Sequence, residues 1–277
     1  MHLYNTHDGV VLDDDGDACL LAATAWDAFF TCDDARALVQ RARSEKSRAL
    51  RDPQWRARIR APIGHQEVWA AGVTYFRSRD ARMEESADAG GGDFYARVYE
   101  ADRPELFLKA TPHRVVGPGQ AVRVRRDSKW NVPEPELTVA INTAGRIFAY
   151  TVGNDVSSRD IEGANPLYLP QAKVYDQCCA LGPGLLLADE PLDDTTQIQM
   201  TVRRAAQPVM EGTTTLAQLK RKPAELAAYL FRENSFPNGS FLMTGTGIVP
   251  PGDFTLQSGD QVSIQIDGIG TLVNSVM

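Results

Sequence analysis

The residues best placed to do chemistry are Glu134 and Glu136, in Val132-Pro-Glu-Pro-Glu-Leu137. Side chains two apart on an extended strand point to one side. Pro133 and Pro135 favour extended geometry in the residue before each, and Glu134 is one of those. Both carboxylates should therefore project from the same face. Like charges that close repel, and each raises the other's pKa unless a cation intervenes. A hard divalent ion on carboxylate oxygens resolves the conflict. Asp155, in Val152-Gly-Asn-Asp-Val156, follows a second strand that hairpins with the first and can supply a third oxygen. No His or Cys adjoins these residues, so Mg²⁺ is expected, then Mn²⁺, rather than zinc. The competing reading of the spacing alone is a pair of exposed charges on an edge strand, where proline is also tolerated.

The elements that must position these groups are mostly strands. Two apolar runs, 3–12 and 19–23, flank the acidic turn Asp13-Asp-Asp-Gly-Asp17 and read as a β-hairpin. Residues 33–51 read as a helix capped by Asp33 or Asp34. Pro62-Ile-Gly64 is a turn and a boundary. It divides a small N-terminal α+β domain, 1–62, from a catalytic domain, 63–277. Strands are expected at 68–75, 106–110, 121–124, 137–142, 146–152, 198–203, 241–244 and 261–266, with a helix over 223–234. Asn142-Thr-Ala-Gly145 joins the two strands that carry the acids. The fold class is mainly β with some α (α+β), of sandwich or barrel type. Residues 77–85 are polar and helix-compatible, and Gly90-Gly-Gly92 marks a loop suited to a lid. No GK[ST] follows, so it is not a phosphate loop.

Composition excludes several classes. The 277 residues are 43% hydrophobic and 23% charged, which is globular rather than disordered. The net charge is -7, and the one basic run, Arg123-Val-Arg-Arg126, is short, so no nucleic-acid partner is expected. No apolar run reaches the roughly 18 residues of a membrane span. The four cysteines form no CxxC pair, and the N-terminus lacks the form of a signal peptide. A cytoplasmic location is the expectation.

Four ordered motifs carry a resemblance. They are Pro133-Glu-Pro-Glu136; Gly153-Asn-Asp155 with Ser157-Ser-Arg-Asp160; Lys173 ahead of Leu181-Gly-Pro183; and Thr244-Gly-Thr-Gly247. Together they resemble the fumarylacetoacetate hydrolase family from about Gly72 to the C-terminus. The resemblance implies a mixed β-roll core of the fumarylacetoacetase C-terminal type and a homodimer. It also implies Mg²⁺ or a similar metal on Glu134, Glu136 and Asp155. The lysine matching Lys173 contacts substrate or acts as a base, and the threonine matching Thr246 binds a substrate oxygen. One departure is informative. Where hydrolytic members carry a His and a Glu on a short helix after a strand end like Gly72-Val-Thr-Tyr75, this chain has Ser78 and Ala81. The replacement segment, with Gly91-Gly-Asp93 and Pro166-Leu-Tyr-Leu-Pro170, resembles the branch that dehydrates 2-keto-3-deoxy sugar acids. The expected reaction takes 2-keto-3-deoxy-D-arabonate to 2,5-dioxopentanoate.

A mechanism fits these residues. A divalent ion polarises a 2-oxo acid and acidifies its C3 hydrogens. Lys173 moves the C3 proton, or holds the carboxylate or enolate as a fixed charge. Glu84 or Glu85 handles the leaving C4 hydroxyl. Arg77, Arg79 and Arg82 are candidate carboxylate clamps, and Ser78, Asn154 and Thr246 are further substrate contacts. Two alternatives stay open: a hydrolase or decarboxylase of an acylpyruvate or oxaloacetate-like acid on the same metal site, and a non-catalytic ligand-binding module.

Overall fold

From Pro135 to Ile141 the chain serves two cores at once. Leu137, Val139 and Ile141 face one and Ala140 faces the other, as period-two alternation dictates. The computed structural model describes residues 1–21, 24–77 and 97–277. Among these, the first strands are β1 (His2–Thr6), β2 (Gly9–Asp14), β3 (Asp17–Leu21), β4 (Ser47–Ala49), β5 (Glu67–Gly72), β6 (Glu105–Ala110), β7 (Val115–Val116), β8 (Ala121–Val122) and β9 (Asn131–Val132). Then come β10 (Pro135–Ile141), β11 (Ile147–Asp155), β12 (Ser157–Ser158), β13 (Cys179–Leu187), β14 (Gln197–Arg204), β15 (Gln207–Thr215), β16 (Ser240–Met243), β17 (Gln261–Ile266) and β18 (Gly270–Val276). The α-helices are α1 (Ala28–Thr31), α2 (Ala35–Glu45), α3 (Arg159–Ala164), α4 (Leu169–Lys173) and α5 (Pro223–Leu230).

The main sheet runs β4-β3-β2-β1-β13-β11-β10-β16-β5-β6, with β7 attached to β13. Its pairings are antiparallel except β16 with β5 and β13 with β7, so it is mixed. A second sheet, β15-β14-β17-β18-β8, packs its Ile198, Met200, Val262 and Ile264 against Leu137, Val139 and Val152 of the first. On the other face, Phe29, Phe30 and Val39 of α1 and α2 cover Ala140, Ala149 and Phe241. This is the mainly-β architecture expected from the sequence.

Three local readings change. The run 3–12 is itself a hairpin, because His7-Asp8 is a turn and Gly9, opposite Thr6, adopts φ +124°. The helix expected to reach Arg51 stops at Glu45, and Ser47–Ala49 instead pairs with β3 at the sheet edge. Strand β13 was hidden by Gly182-Pro183-Gly184. A register irregularity in β11 beside Gly182 lets this proline sit inside the sheet. Residues 1–62 add strands to the main sheet through the β1–β13 pairing, and Leu3 and Leu12 share a core with Leu181 and Leu185.

Candidate metal centre and active site

Hairpin register assembles the acids. Pro135 lies opposite Asn154 and Glu136 opposite Gly153. One step further, the Asp155 N–H donates to the Glu134 carbonyl at 3.0 Å. Glu134 and Asp155 thus face each other at the end of the strand pair, and the three carboxylates place ligand oxygens within 4.8 Å of one another. All three are at most 3% exposed.

Cations and donors surround them. Lys173, at the end of α4, donates from Nζ to Glu134 Oε2 at 2.6 Å, Asp155 Oδ2 at 3.1 Å and Ser157 Oγ at 2.6 Å. Arg159, on α3, bonds Glu134 Oε1 at 2.6 Å. Lys109, on β6, meets Asp155 Oδ1 at 2.5 Å. Glu136 Oε2 accepts the Gly245 N–H. Gly245 is required there twice over: φ is +93°, and an added Cβ would lie 1.9 Å from Thr74 Oγ1.

Burial, then the charges of Asp155 and Glu134, push the Glu136 carboxyl well above its ordinary range, although Lys173 and the Gly245 N–H act the other way. Burial lowers Lys109, but Asp155 together with Cys178, Tyr175 and Cys179 outweighs it and holds the ammonium above its usual value. The crowding that remains at Glu136 is the signature of a cation seat, and an oxygen-only donor set suits Mg²⁺ or Mn²⁺.

The trio, Lys173 and Thr246 line one cleft. Arg159, Glu162, Glu105 and Phe107 line it too. Thr246 Oγ1 is tied to the Ile248 main chain at 3.2 Å. Asn154 is fully buried and does not line the cleft; its Oδ1 accepts the Glu134 N–H at 3.2 Å, and its Nδ2 has no partner among the described residues. Arg77 is exposed and lies off the cleft lining. Ser78, Arg79, Arg82, Glu84, Glu85 and Gly90-Gly-Gly92 lie outside the described residues. A larger cavity, about 390 Å³, opens beside Leu137, Tyr150, Leu192 and Leu216, away from the trio.

Sequence reasoning missed Lys109, Arg159, Glu162 and Glu105. Arg159 and Glu162 follow Asp155 closely in the chain, and that proximity is their signal in the sequence. Lys109 left a subtler mark: a lysine inside the apolar run Leu106-Phe-Leu-Lys-Ala110, where a buried ammonium demands a carboxylate partner.

A mixed β core with an acidic trio at the end of its central hairpin defines a metal-centre class of enzyme fold. The chain belongs to the fumarylacetoacetate hydrolase family: residues 78–277 match the family model described as Fumarylacetoacetate (FAA) hydrolase C-terminal. It is 51% identical over 217 residues to a probable 2-keto-3-deoxyxylonate dehydratase of Haloferax volcanii, covering 78% of this chain and 73% of that one. It is 45% identical over 221 residues to the 2-dehydro-3-deoxy-D-arabinonate dehydratase of Saccharolobus solfataricus, covering 79% and 74%. Among solved structures, it resembles a 2-keto-3-deoxy-D-arabinonate dehydratase complexed with magnesium and 2,5-dioxopentanoate. The TM-score is 0.84 at 35% identity, over 100% of this chain and 98% of the other. No helix among the described residues is long and apolar enough to cross a membrane.

Proposed function

We propose that this protein is a Mg²⁺-dependent dehydratase that converts 2-keto-3-deoxy-D-arabonate to 2,5-dioxopentanoate. One observation carries the reading: three buried carboxylates converge with Lys173 in a single cleft, in a chain 51% and 45% identical to dehydratases of such acids. A bound Mg²⁺ would supply Lewis acidity toward the 2-oxo acid. Glu134, Glu136 and Asp155 would hold it. Lys173, directed toward the trio by Ser157, moves the C3 proton in its neutral form, which a cation on the neighbouring carboxylates would favour. The C4 hydroxyl leaves with a proton as water, and Glu84 or Glu85 is the proposed donor. A proton shift from C5 to C3 gives the 4,5-enol, and a second from the enol hydroxyl to C4 completes the aldehyde, so the net change is loss of one water. Thr246 contacts a substrate oxygen from the cleft wall. Ser78, Arg77 and Arg82 are proposed substrate contacts, and Asn154 acts from behind by holding the Glu134 main chain. A homodimer, a cytoplasmic location and a catalytic unit of residues 63–277 with an N-terminal appendage belong to the same proposal.

The test is to incubate purified protein with 2-keto-3-deoxy-pentonates and Mg²⁺, with and without chelator, and follow products by NMR. The expected result is a chelator-sensitive 2,5-dioxopentanoate signal. Turnover of oxaloacetate or an acylpyruvate, with none of either pentonate epimer, would replace the dehydratase by the decarboxylase or hydrolase alternative.

A further inference from the structure

Lys109 is fully buried on β6, and its ammonium has three acceptors: Asp155 Oδ1 at 2.5 Å, the Val156 carbonyl at 2.9 Å and the Lys173 carbonyl at 2.6 Å. An ammonium has three N–H donors, so all are committed. These acceptors are the side chain of one metal-site acid, the main chain just after it, and the main chain of the cleft lysine. We propose that Lys109 is a positioning residue, which joins Asp155 and Lys173 into one unit and so fixes the cation seat against the proton-moving group.

The geometry favours this over a plain buried ion pair. Taking Asp155 Oδ1 leaves Oδ2 turned to Lys173 Nζ, at 3.1 Å. Lys109 therefore selects which carboxylate oxygen faces the centre. Of its other two bonds, one anchors the end of α4 at the Lys173 carbonyl and one holds the main chain just after Asp155 at the Val156 carbonyl. The Tyr175 ring, 5.7 Å from Nζ, closes the remaining side, and its hydroxyl donates to the same Val156 carbonyl at 3.1 Å. Partners one step removed from a metal commonly set affinity or activity by about 10- to 100-fold.

The inference rests on the metal reading above, and the experiment separates the two. Mg²⁺ affinity is measured by calorimetry, with kcat and KM on the pentonate at saturating Mg²⁺, for the full chain and for Lys109→Met and Lys109→Arg. Arg204→Met is the control, since Arg204 forms a bidentate pair with buried Asp260 and neither lines the cleft. For Lys109→Met, the Mg²⁺ Kd rises about 10- to 100-fold, and kcat stays depressed at saturating metal with a smaller change in KM. A guanidinium is a planar fork and does not reproduce three bonds from one nitrogen. Lys109→Arg therefore keeps the charge yet loses affinity at least about tenfold, and it carries the test if Lys109→Met does not fold. Arg204→Met lowers Tm and leaves Kd and kcat alone. A folded Lys109 variant with Kd and kcat within about twofold of the native chain overturns the inference and leaves the metal reading intact. A native chain that binds no Mg²⁺ overturns both.

Discussion

Glu136 and Asp27 are carboxylates set against the same sheet, and the fold drives them in opposite directions. At Glu136, burial and the neighbouring Asp155 and Glu134 raise the pKa, and the cation and N–H nearby offset this only in part. At Asp27, burial also raises it, but the Gln66 and His65 side chains and the His65 N–H outweigh that and lower it. Gln66 Nε2 donates to Asp27 Oδ1 at 2.8 Å, and His65 Nδ1 meets Oδ2 at 2.5 Å. Asp27 pins the N-terminal segment to the rest with donors the protein itself supplies. Glu134 and Asp155 draw on Lys173, Arg159 and Lys109, while Glu136 takes the Gly245 N–H, and a divalent ion is the natural remainder at Glu136. A carboxylate's depth and its neighbours together distinguish a structural pin from a metal ligand.

The largest effect expected is from Glu136→Gln, which removes one ligand charge. Turnover should fall about 10³-fold or more, the equivalent of several kcal/mol of lost electrostatic stabilisation. Calorimetry should find no Mg²⁺ binding at concentrations that saturate the native chain. Retained binding would erase the contrast with Asp27.

Metal removal should come next. Mg²⁺ at about 100 times its Kd stabilises the native state by about 2.7 kcal/mol. For a chain of this size that is roughly 5–10 °C in Tm. Differential scanning with and without chelator measures it, and Glu136→Gln should show no shift.

The pH responses should have opposite signs. With Glu136 raised, the chelated native state holds more protons than the unfolded chain over the window from the unfolded value, 4.5, up to the folded pKa. Its contribution to stability is therefore lost as pH rises through that window. Mg²⁺ needs the ionised form, so affinity rises with pH and binding releases protons. Asp27 is lowered, so its stabilisation is present above 3.8 and lost as pH falls through its folded pKa. Comparing Tm against pH for the chelated native chain and Glu136→Gln isolates the first slope. If the two curves coincide, Glu136 is not the group responsible.

The smallest effect is from Asp27→Ala. Because Asp27 is partly open to solvent, screening limits the loss to about 1 kcal/mol. Urea melts should detect it, with Mg²⁺ affinity and kcat unchanged. A drop in metal affinity would mean that the junction and the site are coupled.

Much of this was legible along the chain. Glu134 and Glu136 announce themselves by two-residue spacing, and Asn142-Thr-Ala-Gly145 shows how Asp155 returns to them. These are local rules, and strands β10 and β11 obey them. Strand β13 escaped notice because Gly-Pro-Gly reads as a breaker, and only its neighbours make it a strand. Asn154 reads as a polar contact for substrate, yet faces the Glu134 backbone, since adjacent strand residues point to opposite sides.

The sequence alone determined the acid trio, the oxygen-only preference for metal, the mainly-β class and the family motifs, because each depends on residue type and short-range periodicity. Tertiary structure decided the rest. It brought Lys109, distant in sequence and set in an apolar strand, onto Asp155, and it drew Arg159, Glu162 and Glu105 around one cleft. It also fused the N-terminal strands to the main sheet. The physical reason is that a buried charge is satisfied by whatever partner the packing brings within about 3 Å, and spacing along a chain does not encode that distance.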